Sequence, residues 1–149
     1  MKEQLIKLVS NSAKQTQEIG HELGLKLHGD ETIALIGELG AGKTHLVKGL
    51  VSGMGIEANV VSPTFVLQRV YKKGRKILNH FDAYRISADE FANLGVLDWI
   101  GESVNVVEWG EIVRDILPPD TIWITMKVLD ENTREILIET DEKHSYLQN

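Results

Sequence analysis

Cysteine is absent from the 149 residues, which excludes disulfides, thiolate metal sites and thiol nucleophiles and suits a reducing cytosol. Proline occurs three times, at positions 63, 118 and 119, where it punctuates the chain without building a linker. No apolar run approaches the ~20 residues of a membrane span. The opening stretch "MKEQLIKLVSNSAKQ" lacks the apolar core of a signal peptide, so the expected location is cytoplasmic, with no membrane partner. The five histidines show no H-x-x-x-H pair and no carboxylate at metal-ligand spacing, so no zinc site is expected. Basic residues are outnumbered, 16 Lys and Arg against 22 Asp and Glu, for a formal charge of −6. That balance argues against a surface that binds nucleic acid by neutralising phosphates. The local exception, "RVYKKGRK" at 69–76, reads first as a soluble hairpin tip that protects a sheet edge; contact with RNA or another protein is the alternative.

What is present is ordinary for a globular chain, with 42% hydrophobic and 26% charged residues, and the length fits one domain over 1–149. "EQLIKLV" alternates like an edge strand, and Ser12 with Gln15 has the spacing of a capping box. The helix it opens would bury Ile19, Leu23 and Leu27, with Gly20 and Gly24 thinning the same face, and stop near Gly29. "ETIALIG" is a buried central strand, followed by a glycine loop and a helix, "KTHLVKGLVSGM". "FVLQRVY" and "KILNHFDAY" form a hairpin across "KKGR". "SADEFANLGVLDWI" reads as one serine-capped helix, "VNVVEW" as a buried strand, and "EIVRDIL" as a short helix stopped by Pro118 and Pro119. "TIWITMKVL" and "REILIET" are closing strands joined by the polar turn "DENT", and the tail over 141–149 is expected to fray. The expected fold is α/β: a P-loop NTPase-like three-layer sandwich with a mixed parallel and antiparallel central sheet.

The loop "GELGAGKT" satisfies G-x-x-x-x-G-K-[ST] with Gly37, Gly42, Lys43 and Thr44. At average glycine usage this pattern arises by chance in roughly one chain of this length in a few hundred. Such a loop turns its backbone N–H groups inward as an anion nest, which glycine permits without Cβ clashes. Gly37, Glu38, Leu39, Gly40, Ala41 and Gly42 would wrap the phosphates, Lys43 would reach the β- and γ-phosphates, and the Thr44 hydroxyl would ligate Mg²⁺. The helix start at Lys43 adds its positive dipole end.

A metal-holding acid normally ends a second buried strand beside such a loop. Glu108, closing "VNVVE", is the candidate, against the plain reading of a solvated strand end. Asp82 in "NHFDAYR" is either a strand-end hydrogen bonder or an acid near the γ-phosphate, and alternation puts His80, Asp82 and Tyr84 on one face. "SPTF" offers Ser62 and Thr64, as a γ-phosphate-sensing segment or as a connecting turn. Trp109 is a packing anchor or a ligand contact.

The loop, "SPTF", "HFDAYR" and "VVEW", in this order and spacing, resemble the TsaE family, also called YjeE, from the Ser12–Thr16 helix start to "REILIE". The resemblance implies a small ATPase, using ATP and Mg²⁺, required to form threonylcarbamoyladenosine at the tRNA adenosine next to the anticodon. It implies docking on the TsaB and TsaD pair and contact with tRNA only through that complex. Position by position it implies Lys43 on phosphate, Thr44 and Glu108 on the metal, Asp82 near the metal and γ-phosphate, and Trp109 beside Glu108 in the family signature. It also implies a nucleotide contact from Thr16, with Arg134 near the base. The family loop commonly reads G-D-L-G-A-G-K-T-T; here Glu38 replaces the aspartate and His45 the second threonine, so His45 keeps its N–H for the α-phosphate but loses a hydroxyl. Ala83 stands where leucine is usual, which suggests looser packing behind the strand.

Two other readings compete. A small-metabolite kinase would use the same loop with a basic lid, for which Arg69, Lys72, Lys73 and Arg75 are available. A GTP switch is disfavoured, because no N-K-x-D stretch exists to bond guanine.

Overall fold

The computed structural model describes residues 4–38, 40–63, 68–84 and 87–148, the side chains of 88, 96 and 97 excepted. Leu39, expected in the phosphate-wrapping loop, and Thr64 of "SPTF" lie outside the described residues, as does Arg85 of "NHFDAYR".

Seven strands form one sheet in the order β1-β7-β6-β2-β5-β4-β3. They are β1 (Gln4–Ser10), β2 (Thr32–Gly37), β3 (Gln68–Lys73), β4 (Lys76–Asp82), β5 (Val104–Glu108), β6 (Ile122–Val128) and β7 (Arg134–Thr140). The middle is parallel, β2 lying between β5 and β6 with β4 beyond β5. The outer pairs β3–β4, β6–β7 and β7–β1 are antiparallel. The sheet is thus mixed, as the sequence suggests. Strands β2 and β5 are buried almost throughout, as expected of parallel strands covered on both faces.

On one face lie α1 (Ala13–Lys26) and α2 (Lys43–Gly53). Ser12 caps α1 by accepting from Gln15 N at 3.0 Å, while the Gln15 side chain bonds Asn11 N instead of completing a capping box at Ser12. The two helices touch backbone to backbone through glycine pairs. A Cβ on Gly20 would stand 2.4 Å from Leu46 O, and one on Gly53 2.2 Å from His21 O. Leu46, Val47, Leu50 and Val51 of α2 complete the main core against Ile33, Leu35, Val106 and Ile124. Leu23 of α1 is buried as expected, whereas Ile19 and Leu27 are only partly so.

The other face carries a smaller cluster of Ala34, Phe81, Ala83, Phe91, Val107 and Val113. Here the single helix expected over 87–100 is broken into α3 (Ala88–Asn93) and α4 (Val96–Trp99). The break falls at Gly95, whose φ of +82° ends one helix and starts the next. Ser87 and Glu90 do make a full capping box. The helix expected at "EIVRDIL" is a 3-10 turn over Gly110–Val113. Ala83, read as a point of loose packing, is wholly enclosed, and its amide donates to Glu108 O.

The carboxyl-terminal segment does not fray. Glu142–Gln148 forms 3-10 turns that bury His144 and Leu147. The Tyr146 hydroxyl donates to Glu31 Oε2, its ring stacks on His28 at 3.9 Å, and His144 Nε2 bonds Asp120 O. The polar look of "DEKHSYLQN" hides these docking groups.

Candidate functional site

Strand β2 ends at Gly37, and α2 begins at Lys43, so the glycine loop emerges at the carboxyl end of a central parallel strand, where α/β sheets bind ligands. Gly40 and Gly42 hold φ of +85° and +97°, conformations that favour glycine. Gly42 is the N-cap of α2 and supplies no side chain, so the first amides of the helix are left for an anion. Within the loop Ala41 N donates to Glu38 O at 3.0 Å.

Lys43 is buried, and its ammonium is held from three sides. It donates to Gly37 O at 2.7 Å, lies 3.7 Å from Glu108 Oε1, and sits 4.3 Å from the centre of the Trp109 ring. An ammonium enclosed in this way survives only because each direction offers negative charge or a π face. Glu108, also buried, reaches the loop because β5 pairs in parallel with β2, Leu35 opposite Glu108. Strand β4 pairs on the far side of β5 with Asp82 opposite Glu108, bringing both acids to one end of the sheet and one face. Asp82 Oδ1 accepts from Tyr84 N at 2.9 Å. The strand ends there, so Tyr84 leaves the row and is 54% exposed. Its ring lies 4.7 Å from that of Trp109. Trp109 itself holds φ of +60°, the sole non-glycine residue with positive φ among the described residues. Left-handed backbone at a bulky residue costs on the order of 1–3 kcal/mol and concentrates at working sites.

His80 was not among the candidates from sequence. It is fully buried, and its Nε2 lies 2.5 Å from Glu108 Oε2. Its carboxylate partner arrives from 28 positions away. The hard oxygen donors of Thr44, Glu108 and Asp82 suit Mg²⁺ in kind, and Thr44, half-buried, occupies the second position of α2.

A pocket of about 210 Å³ opens between α1, Gly40–Gly42 and the β6–β7 turn. Thr16, His45 and Arg134 line it together with Ser12, Glu131 and Asn132. Three candidates from distant parts of the sequence therefore share one cavity. Thr16 is tied down, its hydroxyl 2.7 Å from Ser10 Oγ and 3.2 Å from Ser12 O. Arg134 is fixed by bonds to Asp130 O at 2.9 Å and to Gly40 O at 3.3 Å. The Gln17 amide nitrogen lies 3.0 Å from His45 Nδ1. Glu131 and Asn132 were missed because "DENT" reads only as a turn. In it Asp130 accepts from the amides of Asn132 and Thr133, which hold its carboxyl below the usual range.

Of the remaining features, Ser62 is half-buried, and the hairpin tip at 72–75 is exposed. His28, Asp30 and Glu31 place ligand atoms within 4.8 Å of one another. Both Glu31 oxygens are already occupied by the amides of residues 28–30 and by Tyr146, so the group is a structural knot. Among the described residues no helix is long and apolar enough to cross a membrane.

The family model described as "Threonylcarbamoyl adenosine biosynthesis protein TsaE" matches residues 10–136. A Treponema pallidum protein named tRNA threonylcarbamoyladenosine biosynthesis protein TsaE is 42% identical over 89% of this chain and 99% of its own length. A Rickettsia felis protein of the same name is 33% identical over 94% of this chain and 83% of its own. The crystal structure of YdiB from Bacillus subtilis superposes with a TM-score of 0.81 at 26% identity, covering 99% of this chain and 94% of that one. A loop, an acid-bearing strand and a tryptophan in one geometry, with relatives matched over nearly their full length, lead to a single conclusion: the chain belongs to the TsaE family.

Proposed function

We propose that this protein binds and slowly hydrolyses ATP with Mg²⁺ in the cytoplasm, as an accessory factor for threonylcarbamoyladenosine formation at the tRNA adenosine next to the anticodon. The observation that carries the reading is the seating of Lys43 between Gly37 O and Glu108 Oε1 at the start of an uncapped helix. A polyphosphate would take the ammonium from Gly37 O and the loop amides from solvent. Mg²⁺, when bound, would neutralise charge on the β- and γ-phosphates, with Thr44 and Glu108 as its protein ligands and Asp82 beside them. The 210 Å³ pocket is smaller than the ~300–1,000 Å³ of sites that enclose a whole drug-sized ligand. It suits the nucleoside end of a nucleotide whose phosphates lie along the loop, with Thr16, His45 and Arg134 around it.

The net charge of −6 supports a protein that reaches tRNA through others, and the family supports TsaB and TsaD as those partners. The test is ATP turnover by the isolated protein, then with TsaB and TsaD, and separately with small-molecule phosphate acceptors. Slow turnover that responds to the pair is the expected result. Rapid phosphorylation of a small acceptor would replace this reading with the kinase one.

A further inference from the structure

His80 occupies a core position and uses it for a single polar contact. The positions that precede it along that face of the sheet are apolar, Leu78 on β4 with Val104 and Val106 on β5, and the acids Asp82 and Glu108 follow at the strand ends. A leucine or valine at position 80 would continue that row at lower cost. Instead there is a ring 0% exposed whose Nδ1 has no hydrogen-bond partner. Arg69, its cross-strand neighbour on β3, likewise leaves its Nε unpartnered and gives Nδ1 no hydrogen bond. Burying a polar nitrogen without a partner costs about 1–3 kcal/mol. What the ring gains is the 2.5 Å contact to Glu108 Oε2.

An ionised carboxylate only accepts, so Nε2 carries the proton in that bond. The terminal torsion of a glutamate is broad and roughly two-fold, and left alone it would exchange its two oxygens freely. The bond from His80 removes that freedom. With Oε2 held, Oε1 is the oxygen that faces Lys43 Nζ, at 3.7 Å, at the mouth of the phosphate loop.

We infer that His80 is a positioning residue, whose Nε2–H pins Oε2 of Glu108 and so presents Oε1 to the cation that accompanies a bound nucleotide. This rests on the nucleotide–metal reading given above. Outer partners that orient metal-binding side chains are typically worth about 10–100-fold in metal affinity.

The test is calorimetric titration of the full chain with ADP, in magnesium buffer and in EDTA, for wild type, His80→Leu and His80→Gln, each checked for folding by circular dichroism and melting. In His80→Leu, binding in EDTA is expected to match wild type within about twofold, while the gain in affinity from Mg²⁺ falls about tenfold. His80→Gln, which returns an N–H donor, is expected to recover part of that gain. In a Glu108→Ala background, His80→Leu is expected to add nothing. Should His80→Leu not fold, His80→Met, which likewise has no N–H to donate, carries the same expectation. Equal magnesium gain in wild type and in the folded variant lacking the donor overturns the role of His80 alone. No magnesium gain in wild type overturns the functional reading and this role with it.

Discussion

Gly49 of α2 passes Gly20 of α1 so closely that a Cβ on Gly49 would stand 2.2 Å from Gln17 O and 2.8 Å from the Gly20 Cα. Neither obstacle is a flexible side-chain end; both are backbone, and one helix must move for anything larger than hydrogen. Gly49→Ala is therefore expected to destabilise the protein by at least about 1–3 kcal/mol, against the small gain in helix propensity that alanine brings elsewhere. For a chain of this size each kcal/mol corresponds to roughly 2–4 °C in melting temperature, which a thermal melt resolves. A melting temperature equal to or above wild type would show that the helices can part without cost.

Lys43→Ala removes the charged donor from the glycine loop proposed to hold phosphate. Loss of a charge-assisted contact of about 1.5–3 kcal/mol predicts ATP and ADP binding weaker by about 10–100-fold in calorimetry. Unchanged affinity would remove Lys43 from the site.

Glu108→Gln keeps the shape and the acceptor for His80 but removes the charge. Magnesium-dependent ATP turnover is expected to fall by at least about tenfold, while nucleotide binding in EDTA changes little or improves. A variant that hydrolyses ATP like wild type would exclude Glu108 as the acid of the site.

Acid stability should report on Glu31. Burial raises its pKa, but the bonds from Tyr146 and from the amides of residues 28–30 outweigh this and leave it below the ordinary value of 4.5. The folded state thus binds a proton at Glu31 less readily than the unfolded state. The resulting stabilisation is fully present above the unfolded value and is lost as pH falls through the lower folded one. Burial and the Glu31 charge push the Tyr146 phenol well above its ordinary range, so it remains a donor at working pH. Tyr146→Phe is expected to melt below wild type at pH 7, with the gap narrowing as pH falls from about 5 to 3. A gap independent of pH would locate the effect of Tyr146 in packing alone.

How far these features can be read from sequence depends on how local they are. The phosphate loop is a run of eight residues whose meaning is carried by glycine, lysine and threonine at fixed offsets, and the strand before it and helix after it follow without a gap. Glu108 and Asp82 were legible as strand ends. Alternation already put Asp82 on one face with His80, but the arrival of Glu108 beside them was not legible, because it depends on β4 and β5 lying side by side in one parallel register. Glu131 and Asn132 reach the pocket only through the antiparallel pairing of β6 with β7 and the closeness of that turn to α1. Gly95 was a visible breaker, passed over because the residues flanking it keep a helical composition. The tail was misread because its burial comes from a histidine, a tyrosine and one leucine within a polar stretch, where no periodicity announces a buried face.

The docked tail sets a practical rule for handling the protein. Tyr146 clasps Glu31, and one residue later the chain enters β2, the strand that delivers the glycine loop. A bulky group attached beside Tyr146 would therefore load, through Glu31, the strand that carries the glycine loop.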